Sequence, residues 1–150
     1  MPRFLRRWAG VMLPEAVKAP FRGRLYGFRA PRATMRAEIR EEAGGCVVTI
    51  DEALVLRAPR AVLPDLRYHL QTNGESMDEI ANLLQVARDP GGLLFDVGGH
   101  VSLLAHLFCL ASPRNRAISF EPSPSLRRLA EQMRAMNGLN DRLVLSANAI

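Results

Sequence analysis

Residues 93–108 read LLFDVGGHVSLLAHLF, and this stretch decides the fold of the chain. An apolar run ends at Asp96, two glycines follow, and a second apolar run begins. The pattern predicts a buried strand, a tight turn at Gly98 and Gly99, and a buried helix. Glycine at such a place allows a tight turn, and it also lets a ligand approach the backbone closely. The stretch alone leaves both roles open.

The sequence that follows alternates in the same way. Ser123 is expected to cap the second helix of this region, with Pro124 in its first turn and Gly138 at its exit. Because strands and helices alternate, we predict right-handed βαβ units and a parallel sheet. The predicted elements are strands at 93–96, 117–121 and 142–147, with helices at about 101–111 and about 124–137.

Upstream of the glycine turn, the sequence predicts a β-hairpin and one further helix. CVVTIDEALVLRAP, residues 46–59, is rich in β-branched residues and turns at Asp51-Glu52. Ser76 and Glu79 have the spacing of a capping box, and apolar residues follow them at helical spacing to residue 88.

The positive charge of the chain belongs to its first 45 residues, which hold ten basic and four acidic side chains. Helical spacing from Phe4 puts Trp8 and Val11 on the same face. Such a segment suits a membrane-surface anchor or a basic arm, and it also suits a short helix that packs on the following domain with solvated arginines. We favour the packed helix and expect no nucleic-acid partner, while peripheral membrane contact through residues 1–30 stays open.

Composition limits the protein class. A chain of 150 residues with 48% hydrophobic content is long enough for one soluble globular domain with a real core. It lacks an apolar run of the roughly 18 residues that a membrane span needs, and its N-terminus lacks the apolar stretch of a signal peptide. Cys46 and Cys109 are far apart, so we expect neither a disulfide framework nor a metal site, and a cytoplasmic location.

In parallel α/β sheets, ligands bind at the carboxyl ends of the strands. The glycine turn lies at one such end, and Glu121 closes the next strand, 25 positions after Asp96. A carboxylate there can accept hydrogen bonds from ribose hydroxyls. A dinucleotide would require G-x-G-x-x-G, but two of these glycines are absent here. S-adenosylmethionine carries no phosphate and needs only close backbone approach and a carboxylate, so it fits the pattern better.

The same residues carry a resemblance to a known family. LLFDVGGHVSLLA, followed by AISFEPSPSLRRLAEQMRAMNGLNDRLVLSANAI, resembles the FkbM-type S-adenosylmethionine-dependent methyltransferases. That family reads D-[VI]-G-A-N-x-G, then F-E-P-x-P, then a helix that ends in N-G. The resemblance covers residues 91–150. The matching positions are Asp96, Val97, Gly98, Phe120, Glu121, Pro122, Pro124, Asn137 and Gly138.

The resemblance implies a class I methyltransferase fold that methylates hydroxyl oxygens of sugars and similar small molecules. It implies Gly98 and Gly99 against the amino acid part of the cofactor. It also favours Glu121 on the ribose over a solvated charge at the strand end, and Asp96 organising the site over Asp96 capping the turn. His100 stands where the family has Asn, as a turn residue or a cofactor contact. Ser102 replaces the last glycine and adds a side chain where close backbone approach is wanted.

The predicted sheet is incomplete, since class I methyltransferases have more strands than the three predicted here. We therefore expect half of a cofactor site, no identifiable catalytic residue, and a first strand with an unprotected apolar face. The predicted division is 1–45, a basic N-terminal segment; 46–90, a hairpin and capped helix; and 91–150, the N-terminal half of a methyltransferase domain.

Two other functions stay open. One is a non-catalytic remnant or binding module that uses the basic N-terminal arm, and the other is a dinucleotide oxidoreductase.

His106 and Cys109, inside the apolar helix, are expected to face the core rather than to bind metal.

Overall fold

The structure, a computed structural model, describes residues 35–71, 75–88 and 91–148, and only the backbone of Glu75 and Ser76. All of these residues lie in one compact unit, Thr34–Ile150. Most of the predicted basic segment, including residues 1–30, lies outside the described residues. In chain order the described elements are β1 (Ala37–Glu42), β2 (Gly45–Ile50), β3 (Leu54–Ala58), α1 (Leu63–Gln71, preceded by a 3-10 turn, Arg60–Val62), α2 (Glu75–Ala87), β4 (Leu93–Val97), α3 (Leu103–Ala111), β5 (Arg116–Phe120), α4 (Pro124–Met136) and β6 (Leu143–Ser146).

The predicted parallel sheet is confirmed. Its strand order is β4-β5-β6, both pairings are parallel, and α3 and α4 form the two crossovers. This is a Rossmann-like α/β arrangement with three strands in the described part of the chain. Because Val97 pairs with Phe120, the carboxyl ends of β4 and β5 meet at one edge of the sheet. The glycine turn and Glu121 therefore leave the sheet side by side.

A second, antiparallel sheet has the order β1-β2-β3. Strands β2 and β3 are the predicted hairpin, and Asp51 and Glu52 form its turn with positive φ angles of 48° and 60°. Strand β1 was not predicted, because its residues fall in the segment interpreted as a basic arm. Its half-buried Ala37 and Ile39 alternate with exposed charged residues, which is typical of an edge strand.

Helix α3 lies between the two sheets. It contacts β3 and also all three strands of the parallel sheet. Leu103 and Leu107 join the core that contains the antiparallel sheet, whereas Ala105, Phe108 and Cys109 pack with the parallel sheet. The prediction of a buried helix after the glycine turn is therefore confirmed.

Asn137 fixes the exit of α4 against β3. Its side-chain amide donates to the carbonyl oxygens of Arg57 and Met133, at 2.7 and 2.6 Å. Its side-chain oxygen accepts from the backbone N–H of Arg57 at 2.9 Å. The amide thus pairs with the outer edge of β3 as a neighbouring strand would.

The first residues of α2 and α4 differ from the prediction in two details. Helix α2 begins at Glu75, so Ser76 lies inside the first turn and not before it, as the predicted capping box requires. The structure describes only the backbone of Ser76. Ser123 is the N-cap residue of α4, but its hydroxyl makes no capping bond and instead lies 3.0 Å from the Ser125 hydroxyl. Pro124 in the first turn is confirmed, as is Gly138 at the exit with a φ of 64°.

One face of the parallel sheet is open, as expected for the first strand. Among the strands that the structure describes, β4 is an edge, and the exposed fractions of Leu93, Phe95, Val97 and Val144 lie between 42 and 59%. Among the described helices, none is long and apolar enough to cross a membrane.

Candidate cofactor site at the glycine turn

The glycine turn is bonded to the end of the neighbouring strand. The backbone N–H groups of Gly98 and Gly99 both donate to the carbonyl oxygen of Phe120, at 3.0 and 3.1 Å. Gly98 has a φ of 73°, which L-residues adopt at a cost. A Cβ placed on Gly98 would meet nothing within 4 Å. Gly98 therefore presents bare backbone to open space at the edge of the sheet.

Gly99 has a different role, because its space is filled by the protein itself. A Cβ at this position would clash with the Ser119 hydroxyl and would lie 2.7 Å from a carboxylate oxygen of Asp96. No side chain tolerates such contacts without movement of its neighbours. The family resemblance placed both glycines against the cofactor, and internal packing by itself requires a glycine at position 99.

Glu121 is brought to the glycine turn, as the strand ends predicted. One carboxylate oxygen accepts from the backbone N–H of His100 at 2.9 Å. The other accepts from the backbone N–H of Ser123 at 2.8 Å. Each oxygen keeps a second lone pair, so the carboxylate can still accept from a ligand hydroxyl.

Asp96 points from β4 toward the start of α3. Burial raises the pKa of its carboxyl, against the lowering effect of bonds from the Ser119 hydroxyl, at 3.0 Å, and from the backbone N–H of Ala105. The negative charges of Glu79 and Glu121 raise the pKa further. Asp96 therefore contacts the helix start directly, and its charge lies immediately beneath the turn.

His100 has a φ of 55°, a conformation that costs a non-glycine residue about 1 kcal/mol. Its backbone N–H is occupied by Glu121, and its half-exposed ring lies 3.9 Å from a carboxylate oxygen of Asp65 on α1. Asp65 was not identified from the sequence, since α1 itself was not predicted. The signal was present in the apolar spacing of Leu63, Leu66 and Leu70, all of which are buried.

Ser102 does not project into the open side of the turn. It is fully buried, with a φ of 57°, and its hydroxyl lies 2.8 Å from the Ser119 hydroxyl. The side chain therefore lies in the interior and not on the exposed surface of the turn. The serine has a left-handed backbone conformation of the kind that favours glycine, and its side chain is buried.

His106 and Cys109 are core residues, as predicted. Burial lowers the pKa of His106 to about 4 and raises the pKa of Cys109 to about 11, so neither is a reactive group near neutral pH. Among residues 35–71, 75–88 and 91–148, no group of His, Cys, Asp and Glu side chains could hold a metal ion.

Neither a protein-family profile nor a curated protein matches the sequence. Several solved structures resemble it. The C-terminal domain of precorrin-6Y C5,15-methyltransferase from Rhodobacter capsulatus is 28% identical, with a TM-score of 0.43, over 54% of this chain and 43% of that one. A SAM-dependent methyltransferase from Agrobacterium tumefaciens is 10% identical, with a TM-score of 0.46, over 79% of this chain and 34% of that one.

A third resemblance is to the tRNA m1G37 methyltransferase of M. jannaschii, at 14% identity and a TM-score of 0.42, over 76% of this chain and 30% of that one. The chain therefore spans less than half the length of each of these proteins. The resemblance to the FkbM-type family stays a prediction from the sequence.

Proposed function

We propose that this chain forms the cofactor-binding part of an S-adenosylmethionine-dependent methyltransferase. One observation carries the proposal: the open backbone of Gly98 and the carboxylate of Glu121 lie at adjoining strand ends, joined by the bond from the His100 N–H. Ligands of parallel α/β sheets bind at such ends. A bare glycine admits the amino acid part of the cofactor, and a carboxylate accepts from its ribose hydroxyls.

The electrostatics of the turn favour this cofactor over a dinucleotide. A pyrophosphate needs free backbone N–H groups at a helix start. Here the N–H groups of Gly98, Gly99, His100 and Ser102 are all bonded within the protein. Carboxylates near the turn would also repel a phosphate, whereas a sulfonium is cationic. The carboxylates are those of Asp65, Glu79, Asp96 and Glu121.

The acceptor in this proposal is a hydroxyl oxygen of a sugar or another small molecule, which the resemblance to the FkbM-type family supports. The bound cofactor would supply a methyl group on a positively charged sulfur. The chain itself would hold and orient that cofactor, which is the main requirement of methyl transfer. A base for the hydroxyl proton is not assigned to any described residue. We further propose a cytoplasmic location, which the two free, buried cysteines support.

A pair of glycine variants tests the proposal. Gly98→Ala puts a methyl group in the space that the ligand would use. Gly138→Ala is its matched control, because Gly138 also has a positive φ, 64°, and an open Cβ position, but lies at the exit of α4. Both variants should lose about 1 kcal/mol of stability from backbone strain. Only Gly98→Ala should lose binding of S-adenosylhomocysteine, measured by isothermal titration calorimetry.

If Gly98→Ala and Gly138→Ala bound S-adenosylhomocysteine equally well, Gly98 would not belong to a cofactor site. If NAD stabilised the parent protein against heat and S-adenosylmethionine did not, the dinucleotide alternative would replace the proposal. Thermal unfolding of each variant shows whether a loss of binding is simply a loss of folding.

A second candidate is a non-catalytic binding module. The observation in its favour is that both oxygens of Glu121 already bond backbone N–H groups, which explains the residue as a local brace for the turn. This candidate predicts a folded parent protein that binds neither S-adenosylmethionine nor S-adenosylhomocysteine. The same calorimetric experiment therefore separates the two functions.

A further inference from the structure

Three polar side chains form a continuous chain of hydrogen bonds beneath the glycine turn. The Ser119 hydroxyl donates to the Asp96 carboxylate at 3.0 Å, and it lies 2.8 Å from the Ser102 hydroxyl. Asp96 and Ser119 are opposite each other in the register of β4 and β5, and both serines are fully buried. The absent side chain of Gly99 leaves the space in which Ser119 meets Asp96.

The direction of these bonds follows from the donors available. A hydroxyl has one proton, and Ser119 gives its proton to Asp96. Ser102 must then donate to the Ser119 oxygen. Each bond polarises the next, so the two serines together favour the ionised carboxylate. The Asp96 carboxylate thereby orients both hydroxyls.

The backbone at Ser102 gives a second, independent observation. Its φ of 57° suits glycine and costs a serine about 1 kcal/mol. Glycine would remove this strain but would also remove the buried hydroxyl. Ser102 is also the N-cap residue of α3, and its carbonyl oxygen accepts hydrogen bonds from the backbone N–H and the ring Nδ1–H of His106. The strained serine thus links the helix start to the Asp96 carboxylate.

We infer that Ser102 and Ser119 are positioning residues that hold the Asp96 carboxylate ionised and fixed beneath the glycine turn, where its charge attracts a cationic ligand. The inference rests on the proposed function only for the identity of that ligand. The inference explains why Ser102 differs from the last glycine of the FkbM-type pattern: its hydroxyl, which glycine lacks, completes the hydrogen-bond chain.

The charged groups around Asp96 set the direction of the expected effect. Burial raises the pKa of Asp96, Glu79 on α2 and Glu121 after β5 raise it further, and the bond from Ser119 lowers it. The half-exposed His100 ring lies in the turn above Asp96, close to Asp65 on α1. Within α3, His106 bonds the Ser102 carbonyl and is neutral above about pH 4. Removing either serine should therefore raise the pH at which Asp96 becomes protonated.

The test uses Ser119→Ala and Ser102→Gly, with Ser125→Ala as the control. Ser125 is exposed, and its hydroxyl lies 3.0 Å from that of Ser123 at the start of α4. Carbon NMR of the Asp96 carboxyl gives its titration midpoint without any ligand. The midpoint should rise most in Ser119→Ala, less in Ser102→Gly, and not at all in Ser125→Ala.

Ligand binding provides the second measurement. In Ser119→Ala the loss of S-adenosylmethionine binding toward acid should set in at a higher pH than in the parent, by up to about one pH unit, which is the worth of one hydrogen bond to a charged group. S-adenosylhomocysteine lacks the sulfonium charge and should lose less. Ser102→Gly should show a smaller loss while unfolding at the same temperature as the parent or higher, since glycine relieves the strain.

Two results would overturn the inference. One is an Asp96 midpoint that is the same in all four proteins. The other is a raised midpoint with an unchanged pH profile of S-adenosylmethionine binding. If the parent binds neither ligand, the proposed function is refuted, while the carboxyl titration still decides whether the serines hold Asp96 ionised.

Discussion

The buried His106 should make the protein lose stability as the pH falls below neutral. Its ring nitrogen Nδ1 lies 2.7 Å from the carbonyl oxygen of Ser102, so the neutral ring carries its proton on Nδ1. Nε2 has no hydrogen-bond partner in the described part of the chain. A protonated ring could donate to the Ala130 carbonyl, but burial outweighs this gain and lowers the pKa of His106 to about 4.

The size of the effect follows from the two pKa values. The ordinary value is 6.5 and the folded value is about 4. A difference of about 2.5 corresponds to about 3 kcal/mol of unfolding free energy. The unfolded chain binds the proton more tightly, so stability is full above about pH 6.5, and roughly 2 kcal/mol is lost by about pH 5. Asp96 acts in the opposite direction, because its raised pKa stabilises the folded state at low pH and that contribution is lost as the pH rises.

The assay is urea unfolding followed by circular dichroism at several values between about pH 7.5 and about pH 5. His106→Leu fills a similar volume, cannot be protonated and keeps Asp96, so subtracting its profile from that of the parent isolates His106. The reasoning is refuted if His106→Leu loses stability toward acid as steeply as the parent does.

Two further substitutions test packing near the site and the joint between the sheets. Gly99→Ala should cost about 3 kcal/mol in urea unfolding, since its methyl group clashes with the Ser119 hydroxyl, whereas Gly44→Ala, with an open Cβ position, should cost far less. Asn137→Ala should cost about 1–3 kcal/mol, because backbone groups of β3 and α4 lose their partner, and Asn140→Ala, exposed in the same loop, should be nearly neutral.

These two predictions have clear contrary outcomes. If Gly99→Ala were as stable as Gly44→Ala, the close contact of the turn with Ser119 would be wrong. If the two asparagine variants unfolded at the same urea concentration, the attachment of α4 to β3 would not depend on the Asn137 amide.

The parallel sheet could be predicted because its signals are local. Short segments rich in apolar residues mark β4 and β5, and Pro124 and Gly138 mark the ends of α4 within one residue or two. The meeting of Glu121 with the glycine turn was also predictable, since parallel strands bring their carboxyl ends to one edge. Which backbone group the carboxylate bonds was not predictable, because the sequence does not give the φ angle of His100.

The missed elements depend on partners that the sequence does not identify. Strand β1 is rich in Glu and Arg, and only its pairing with β2 makes it a strand. Helix α1 is short, and Leu63, Leu66 and Leu70 form a narrow apolar face that tertiary packing stabilises. Missing α1 also hid Asp65, which reaches His100 from outside the stretch that resembles a known family.

The inward orientation of Ser102 illustrates the same limit. From the sequence, a serine in place of a glycine adds a side chain in an unknown direction. The structure gives that direction, because Ser119 on the neighbouring strand offers a buried partner at 2.8 Å. The two residues are 17 positions apart, and the sequence alone does not indicate their contact.

The most direct test of the account is an NMR titration of the labelled protein with S-adenosylmethionine, followed at the backbone amides. The account predicts saturable shifts at Gly98, Gly99, His100 and Glu121, with little change at Gly138 or in the antiparallel sheet, and no such response to NAD. If these four amides do not move, or if NAD moves them and S-adenosylmethionine does not, the glycine turn is not an S-adenosylmethionine site.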